Sequence, residues 1–399
     1  MPDPERPCPV CGRPAAVEVL RREGVPVHQN LLFGDPAQAR NVTRGVLALS
    51  VCGGCGFAFN HAFDPCLLDY GTRYEGSQAC SPEFSAQLDG LVRDLVAGGI
   101  RGRRILEVGC GAGTFLRRLV AYPGGENRGV GFDPAYLGPE VELGGRLRFY
   151  RRAYGEGCAD GAADVVVCRH VIEHVADPLG LLRAMGETLA RSGEPRLLVE
   201  TPCLDWILDH QVAWDLFYEH CSLFTAAALI TALGRAGFRP TSMRRLFGRQ
   251  YLWAEGAPGP GGTHEPPGQG TVVARAQGLA RGEAALIAAR RALLERQRRR
   301  GPVAVWGAGA KGATFCNLVD PTGERVACVV DVNPRKQGRY VAGTGHPIAS
   351  PAQAGEAGIA VAIVLNPNYV AEVRAELRRL RLQAVVIDLM KEGDGARCS

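Results

Sequence analysis

Ile105-Leu106-Glu107-Val108-Gly109-Cys110-Gly111-Ala112-Gly113-Thr114-Phe115 decides how the rest of this 399-residue chain is read. An apolar run ends in three glycines set two apart, the pattern of a strand that turns into a helix. Glycine at 109, 111 and 113 removes the Cβ atoms that would hold a ligand away from the backbone. Twenty residues after Gly113, Gly131-Phe132-Asp133-Pro134 ends a second apolar run with a carboxylate. At the end of a strand beside such a turn, Asp133 can accept protons from both hydroxyls of a nucleoside ribose.

Strand and helix signals alternate outward from this turn. Candidate strands are Arg104–Val108, Gly129–Phe132, Asp164–Cys168 and Leu197–Glu200, and a helical pattern begins at Phe84 with Leu88, Leu91 and Leu95 near one face. Alternation of this kind predicts an α/β fold, a parallel sheet covered by helices. The stretch Gly256–Gly270 reads as a linker, with a helix from Val272 to Arg300 after it. Units are expected at 1–75, 76–256 and 301–399, joined by linker and helix over 257–300.

Composition sets outer limits. Apolar residues form 46% and charged residues 22% of the chain, which excludes a mostly disordered one. A net charge of +5, with basic residues scattered and almost all arginine, gives no nucleic-acid surface. The first residues have no apolar core for a signal peptide and no later run is long enough for a bilayer, so a cytoplasmic protein with reduced thiols is expected. Of 14 cysteines, Cys8-Pro-Val-Cys11 and Cys52-Gly-Gly-Cys55 form two pairs, each with a glycine after the second thiol. Four thiolates suit a closed tetrahedral zinc site of structural type. The 40 residues between the pairs exceed the usual spacing, so a segment must loop out.

The Glu107-to-Gly113 pattern with Asp133 resembles motif I of class I S-adenosylmethionine (SAM)-dependent methyltransferases. Asp164-Val-Val-Val-Cys168-Arg-His170-Val-Ile-Glu173-His174-Val-Ala-Asp177-Pro178 resembles a strand-and-loop segment of the same class. That resemblance makes Glu107, Gly109, Gly111, Gly113 and Asp133 the cofactor-binding set. A second fingerprint, Gly307-Ala-Gly309-Ala-Lys311-Gly312 followed by Asp331, has dinucleotide spacing and by itself reads as a nicotinamide site.

Taken together with Glu219-His220, Asp331-Val-Asn-Pro-Arg-Lys336-Gln-Gly338-Arg-Tyr340 and His346-Pro-Ile348, nearly the full chain resembles the zinc-containing, three-domain C-methyltransferases of nucleotide-linked deoxy-ketosugars in antibiotic-sugar pathways. The resemblance implies a small amino-terminal zinc domain, a Rossmann-like methyltransferase core and a Rossmann-like C-terminal domain that encloses substrate without a nicotinamide. It also implies a small-molecule partner, a sugar nucleotide. Transfer to a carbon beside a ketone needs a base to make an enolate, and imidazole suits that task near neutral pH. By resemblance His220 is the base, Glu219 orients it, and His174 with Tyr74 positions or polarises the substrate. Ser77, Tyr218 and Lys311 are substrate-binding candidates. Phe217-Tyr218 stands where the family has Tyr-His, so Tyr218 would supply a hydroxyl from a shifted position. The alternative is transfer to oxygen, nitrogen or a non-sugar carbon on the same core.

Overall fold

A computed structural model describes residues 7–71, 73–155, 162–189, 193–260 and 269–392. Strands β1 (Ala16–Pro26), β2 (Arg44–Cys52) and β3 (Ala58–Asn60) form an antiparallel sheet with order β1-β2-β3. Helix α1 (Pro82–Ala97) follows. Ser81 caps it by accepting from the Phe84 amide, Pro82 fits the first turn where its missing N–H costs nothing, and Phe84, Leu88, Leu91 and Leu95 are buried along one face.

The next elements are β4 (Arg104–Val108), α2 (Thr114–Ala121), β5 (Arg128–Phe132), β6 (Val141–Glu142), β7 (Leu147–Tyr150), β8 (Val165–Arg169), α3 (Pro178–Thr188), β9 (Arg196–Pro202), β10 (Ser222–Leu223), α4 (Ala226–Arg235), β11 (Phe238–Leu246) and β12 (Tyr251–Pro258). All but β10 of these strands form an eight-stranded sheet of order β11-β12-β9-β8-β4-β5-β7-β6. Its middle is parallel, from β9 through β8, β4 and β5 to β7, and β12 runs antiparallel against β9. Val165, Val166, Val167 and Cys168 in β8 are all buried, as expected of a strand covered on both faces. The chain leaves β4 towards β5 on one side and returns as β8 on the other. Such a switch point opens a crevice beyond the carboxyl ends of the strands.

Strand β10 departs from its neighbours and pairs with β3, Ser222 opposite Phe59, so the core supplies the fourth strand of the amino-terminal sheet. Helix α5 (Gln269–Arg298) then leads to β13 (Val303–Trp306), α6 (Ala310–Val319), β14 (Cys328–Val330), β15 (Ile348–Ala349), β16 (Val361–Val364), α7 (Val370–Arg379) and β17 (Val385–Asp388). These five strands make a parallel sheet of order β15-β14-β13-β16-β17. The expected linker needs one correction. Gly256, Ala257 and Pro258 continue β12, because Gly256 pairs with both Leu197 and Pro240; residues 261–268 of that linker lie outside the described residues. No helix among the described residues is long and apolar enough to cross a membrane.

Candidate active site

The turn after β4 opens onto a cavity of about 790 Å³ walled by strand ends of the second and third sheets and by Asn30, Tyr70 and Tyr74 of the amino-terminal part. Gly109, Gly111 and Gly113 have φ of +65°, +54° and +74°, a region that disfavours side chains. Their surroundings differ. A Cβ on Gly109 would lie 2.1 Å from Val171, and one on Gly113 would lie 2.5 Å from Phe149, so packing requires both glycines. Nothing lies within 4 Å of the same position on Gly111, which faces open space. Gly109 and Gly111 line the cavity, whereas Gly113 is absent from its wall and caps α2 instead.

Asp133 Oδ2 accepts from the Gly111 amide at 2.8 Å, and Oδ1 accepts from the Ala135 amide at 2.8 Å. The turn and the carboxylate are thereby locked together. Burial still pushes the Asp133 carboxyl above its ordinary value, against the pull of these two amides. Glu107 is buried with Oε2 lacking any partner among the described residues, and burial pushes its carboxyl up to about 8 while Arg169 opposes the shift. An orphaned buried acceptor and an empty glycine face beside a fixed carboxylate fit a nucleoside-bearing ligand.

Across the cavity stand His174 and His220, their rings perpendicular with centroids 4.8 Å apart. Desolvation holds the His220 imidazole well below its ordinary pKa, with the electrostatics of neighbouring His174, His170 and Lys311 adding to it. Its Nδ1 is buried without a partner among the described residues. His174 Nδ1 lies 3.0 Å from the Tyr70 hydroxyl. Burial, reinforced by Glu219 and Tyr74, pushes the Tyr70 hydroxyl far above its usual pKa; Tyr74 moves the same way through burial and then Glu219. Asn30 Nδ2 donates to the Tyr74 hydroxyl at 3.3 Å. Glu173, His174 and His220 each place one ligand-type atom within 4.8 Å of the others, although Glu173 Oε2 already accepts from Thr201 Oγ1.

Two expectations are corrected here. Glu219 does not orient His220, because its carboxylate faces the other way and accepts from the Gln29 amide at 2.9 Å while meeting His28 Nδ1 at 2.8 Å. Tyr218 does not reach the cavity. Its buried ring turns towards residue 64, where its hydroxyl accepts from the Asp64 amide and donates to the Asp64 carbonyl, and Phe217 takes the place on the wall. A shift of one residue along a short turn reverses the side chain.

Lys311 lines the cavity but is engaged. Its Nζ lies 2.8 Å from Asp215 Oδ2 and 2.9 Å from Gln250 Oε1, with the Trp206 ring beneath, so it ties α6 to the core. Ser77 lines the cavity on a segment held to the C-terminal unit. There Arg335 pairs with Glu75, the Tyr369 hydroxyl donates to Gln78, and Ser81 Oγ donates to Glu372. The residues missed by sequence reasoning are Tyr70 and His28. Tyr70 sits four residues ahead of Tyr74 in the same aromatic segment, a signal available but unused. His170 was also unassigned; it takes a left-handed φ of +53° at the end of β8 and lines the cavity.

Away from the cavity, Cys8, Cys11, Cys52 and Cys55 bring their sulfurs within 4.8 Å of one another. Cys8–Cys55 and Cys11–Cys52 stand 3.7 and 3.5 Å apart. A tetrahedron with metal–sulfur bonds of roughly 2.3 Å spaces its sulfurs about 3.8 Å apart, and a disulfide would bring them to about 2 Å. The two knuckles are built alike. Gly12 and Gly56 have φ of +74° and +78°, and their amides donate to the carbonyls of Cys8 and Cys52. The four thiols fit a metal ion.

Residues 83–243 match the family described as a methyltransferase domain, and residues 282–386 match the C-methyltransferase C-terminal domain. Strand order, donor turn and these matches agree on the class. The chain carries a region that matches a methyltransferase domain, on a Rossmann-like α/β sheet, followed by a region that matches a C-methyltransferase C-terminal domain. Ubiquinone biosynthesis O-methyltransferases of Escherichia fergusonii and Escherichia coli are 33% identical over 104 residues, which are 25% of this chain and 43% of theirs. The chain therefore spans less than half the length of these curated relatives. Among solved structures, the 1,6-didemethyltoxoflavin-N1-methyltransferase of Burkholderia thailandensis, with S-adenosylhomocysteine bound, is 17% identical with a TM-score of 0.34, covering 44% of this chain and 79% of its own. The magnesium protoporphyrin IX methyltransferase of Synechocystis, also with S-adenosylhomocysteine, is 19% identical with a TM-score of 0.34 and covers 44% and 84%.

Proposed function

We propose that this chain is a cytoplasmic SAM-dependent C-methyltransferase that alkylates a carbon beside a ketone, on a nucleotide-linked deoxy-ketosugar of natural-product biosynthesis. The observation that carries the reading is the desolvated imidazole of His220, with an unpartnered nitrogen, on the cavity that the open face of Gly111 also lines. When bound, SAM supplies an electrophilic methyl group. Gly111 and Asp133 hold its nucleoside, with the remaining lone pairs of the carboxylate free for ribose hydroxyls. His220 stays neutral at working pH and takes the proton from the acceptor carbon. Burial keeps Tyr70 protonated; with its hydroxyl donating to His174 Nδ1, the proton of that ring lies on Nε2. From there His174 donates to the acceptor carbonyl oxygen as negative charge grows on it, with Tyr74 packed alongside.

Zinc would be held by Cys8, Cys11, Cys52 and Cys55, whose four sulfurs would leave it no open position and so a structural role. The sugar-nucleotide class rests on the family resemblance and on a cavity walled by the C-terminal unit. His220→Ala is expected to lower turnover by about 10²-fold or more with S-adenosylhomocysteine affinity within a few-fold of the native value. Deuterium should wash out of the acceptor carbon in the presence of native protein. Retention of that label during methyl transfer would mean transfer to a heteroatom and end the enolate reading.

A further inference from the structure

His28 belongs to the amino-terminal unit, in the loop that follows β1, and its ring is buried. The amide of Asp69 donates to His28 Nε2 at 2.8 Å. A backbone amide can only donate, so Nε2 must accept and the ring proton must sit on Nδ1. Nδ1 in turn lies 2.8 Å from Glu219 Oε1. The tautomer is thus set by the fold: a neutral ring that donates to Glu219, whose other oxygen takes the Gln29 amide. The His28 ring also meets Tyr70 and Tyr74 edge-on, at centroid distances of 5.1 and 6.1 Å. Burial raises both tyrosine hydroxyls, and Glu219 adds to the rise.

We infer that His28 is a positioning residue for the reaction. Its ring ties the Glu219 carboxylate, through Nδ1–H, to the Asp69 amide next to Tyr70, through Nε2, and packs edge-on against Tyr70, and so sets where the Tyr70 hydroxyl meets His174. The inference rests on the proposed enolate chemistry for its kinetic part and on geometry alone for the tautomer. Through it the amino-terminal unit reaches the reacting groups by way of a proton position, without touching substrate.

Two measurements on the full chain with its metal test this. The first is the long-range ¹⁵N–¹H spectrum of histidine-labelled protein. A neutral ring protonated at Nδ1 is expected that vanishes in His28→Leu, separate from that of His210, whose Nδ1 faces the Trp206 carbonyl at 2.9 Å; a native His28 protonated at Nε2 would overturn the inference. The second is kinetic, with His28→Leu and His28→Asn compared, since the Asn amide can replace the Nδ1–H donor. His28→Leu should lower kcat at least tenfold with the acceptor KM changed less than threefold and S-adenosylhomocysteine affinity unchanged, and His28→Asn should recover most of the loss. Native kcat in His28→Leu, or equal losses in both variants that track a common fall in Tm, would overturn it. If native protein methylates no keto acceptor, the proposed function fails and the spectrum alone judges the tautomer.

Discussion

The strand–glycine–helix unit at 104–133 and the one at 303–331 are built on one plan and end differently. In each, a carboxylate at the end of the second strand accepts from an amide of the glycine turn: Gly111 to Asp133 at 2.8 Å, Ala308 to Asp331 at 2.8 Å. In each, packing demands glycine, at 109 and 113 in the first and at 312 in the second. A Cβ on Gly312 would lie 1.9 Å from the Gly307 carbonyl, much as one on Gly113 would strike Phe149. The contrast lies in what is left over. Two residues ahead of the first glycine, β4 carries the buried, half-satisfied Glu107, where β13 carries the apolar Val305. The second turn is also stitched from within, by Lys336 Nζ donating to the Ala308 carbonyl, and from without, by Lys311 on Asp215. An unsatisfied polar group in a packed interior is costly, and one on the wall of an open cavity, as Glu107 is, leaves a place that a ligand can fill. The spacing of glycines alone does not separate the two turns; the unpartnered Glu107 oxygen on the cavity wall does.

The comparison breaks most visibly at its paired glycines. Gly111→Ala puts a methyl into the open face at a left-handed φ, and S-adenosylhomocysteine affinity by calorimetry should fall at least tenfold, which is about 1.4 kcal/mol. Gly309→Ala, with φ of −87° and nothing within 4 Å, should leave that affinity unchanged. Equal losses would make the two turns equivalent. The paired carboxylates come next. Asp133→Ala should weaken the same ligand roughly tenfold to a hundredfold, as for a hydrogen bond to a charged group, and Asp331→Ala should lower Tm while affinity stays within twofold.

Removing Lys311, as in Lys311→Met, leaves Asp215 buried and without its ammonium. The fall in urea midpoint should be larger than for removal of an exposed charge such as Arg379, and affinity for the donor product should not change. A further effect is one of pH. The Glu107 carboxyl sits at about 8 in the folded protein, far above its ordinary value, so the stability it lends is complete below the unfolded-state value near 4.5 and is lost as pH rises through 8. Glu107→Gln should gain on the native protein in urea titrations as pH climbs from 5 to 8, with the difference level beyond. A constant difference across that range would mean the carboxyl is not held protonated.

What the chain disclosed in advance follows the reach of each interaction. The glycine turn and the Cys knuckles are local, since a turn is specified by the few residues within it. The α1 face is local in the same sense, with period and cap both written in 15 residues or so. The partner of Glu219 could not be read that way, because His28 is brought to it only by the docking of the amino-terminal sheet. Tyr218 failed for a subtler reason: neighbouring residues in a turn point apart, and identity does not say which one faces inward. Lys311 looked free beside its helix because Asp215 stands on another unit.

The pairing of Ser222 with Phe59 has a consequence for how the molecule comes into being. The edge of the first sheet stays bare on the ribosome until nearly the whole catalytic domain has emerged, and loop closure over so long a span is slow. A nascent chain in that interval presents an unpaired strand edge, the kind of surface that invites association with other chains.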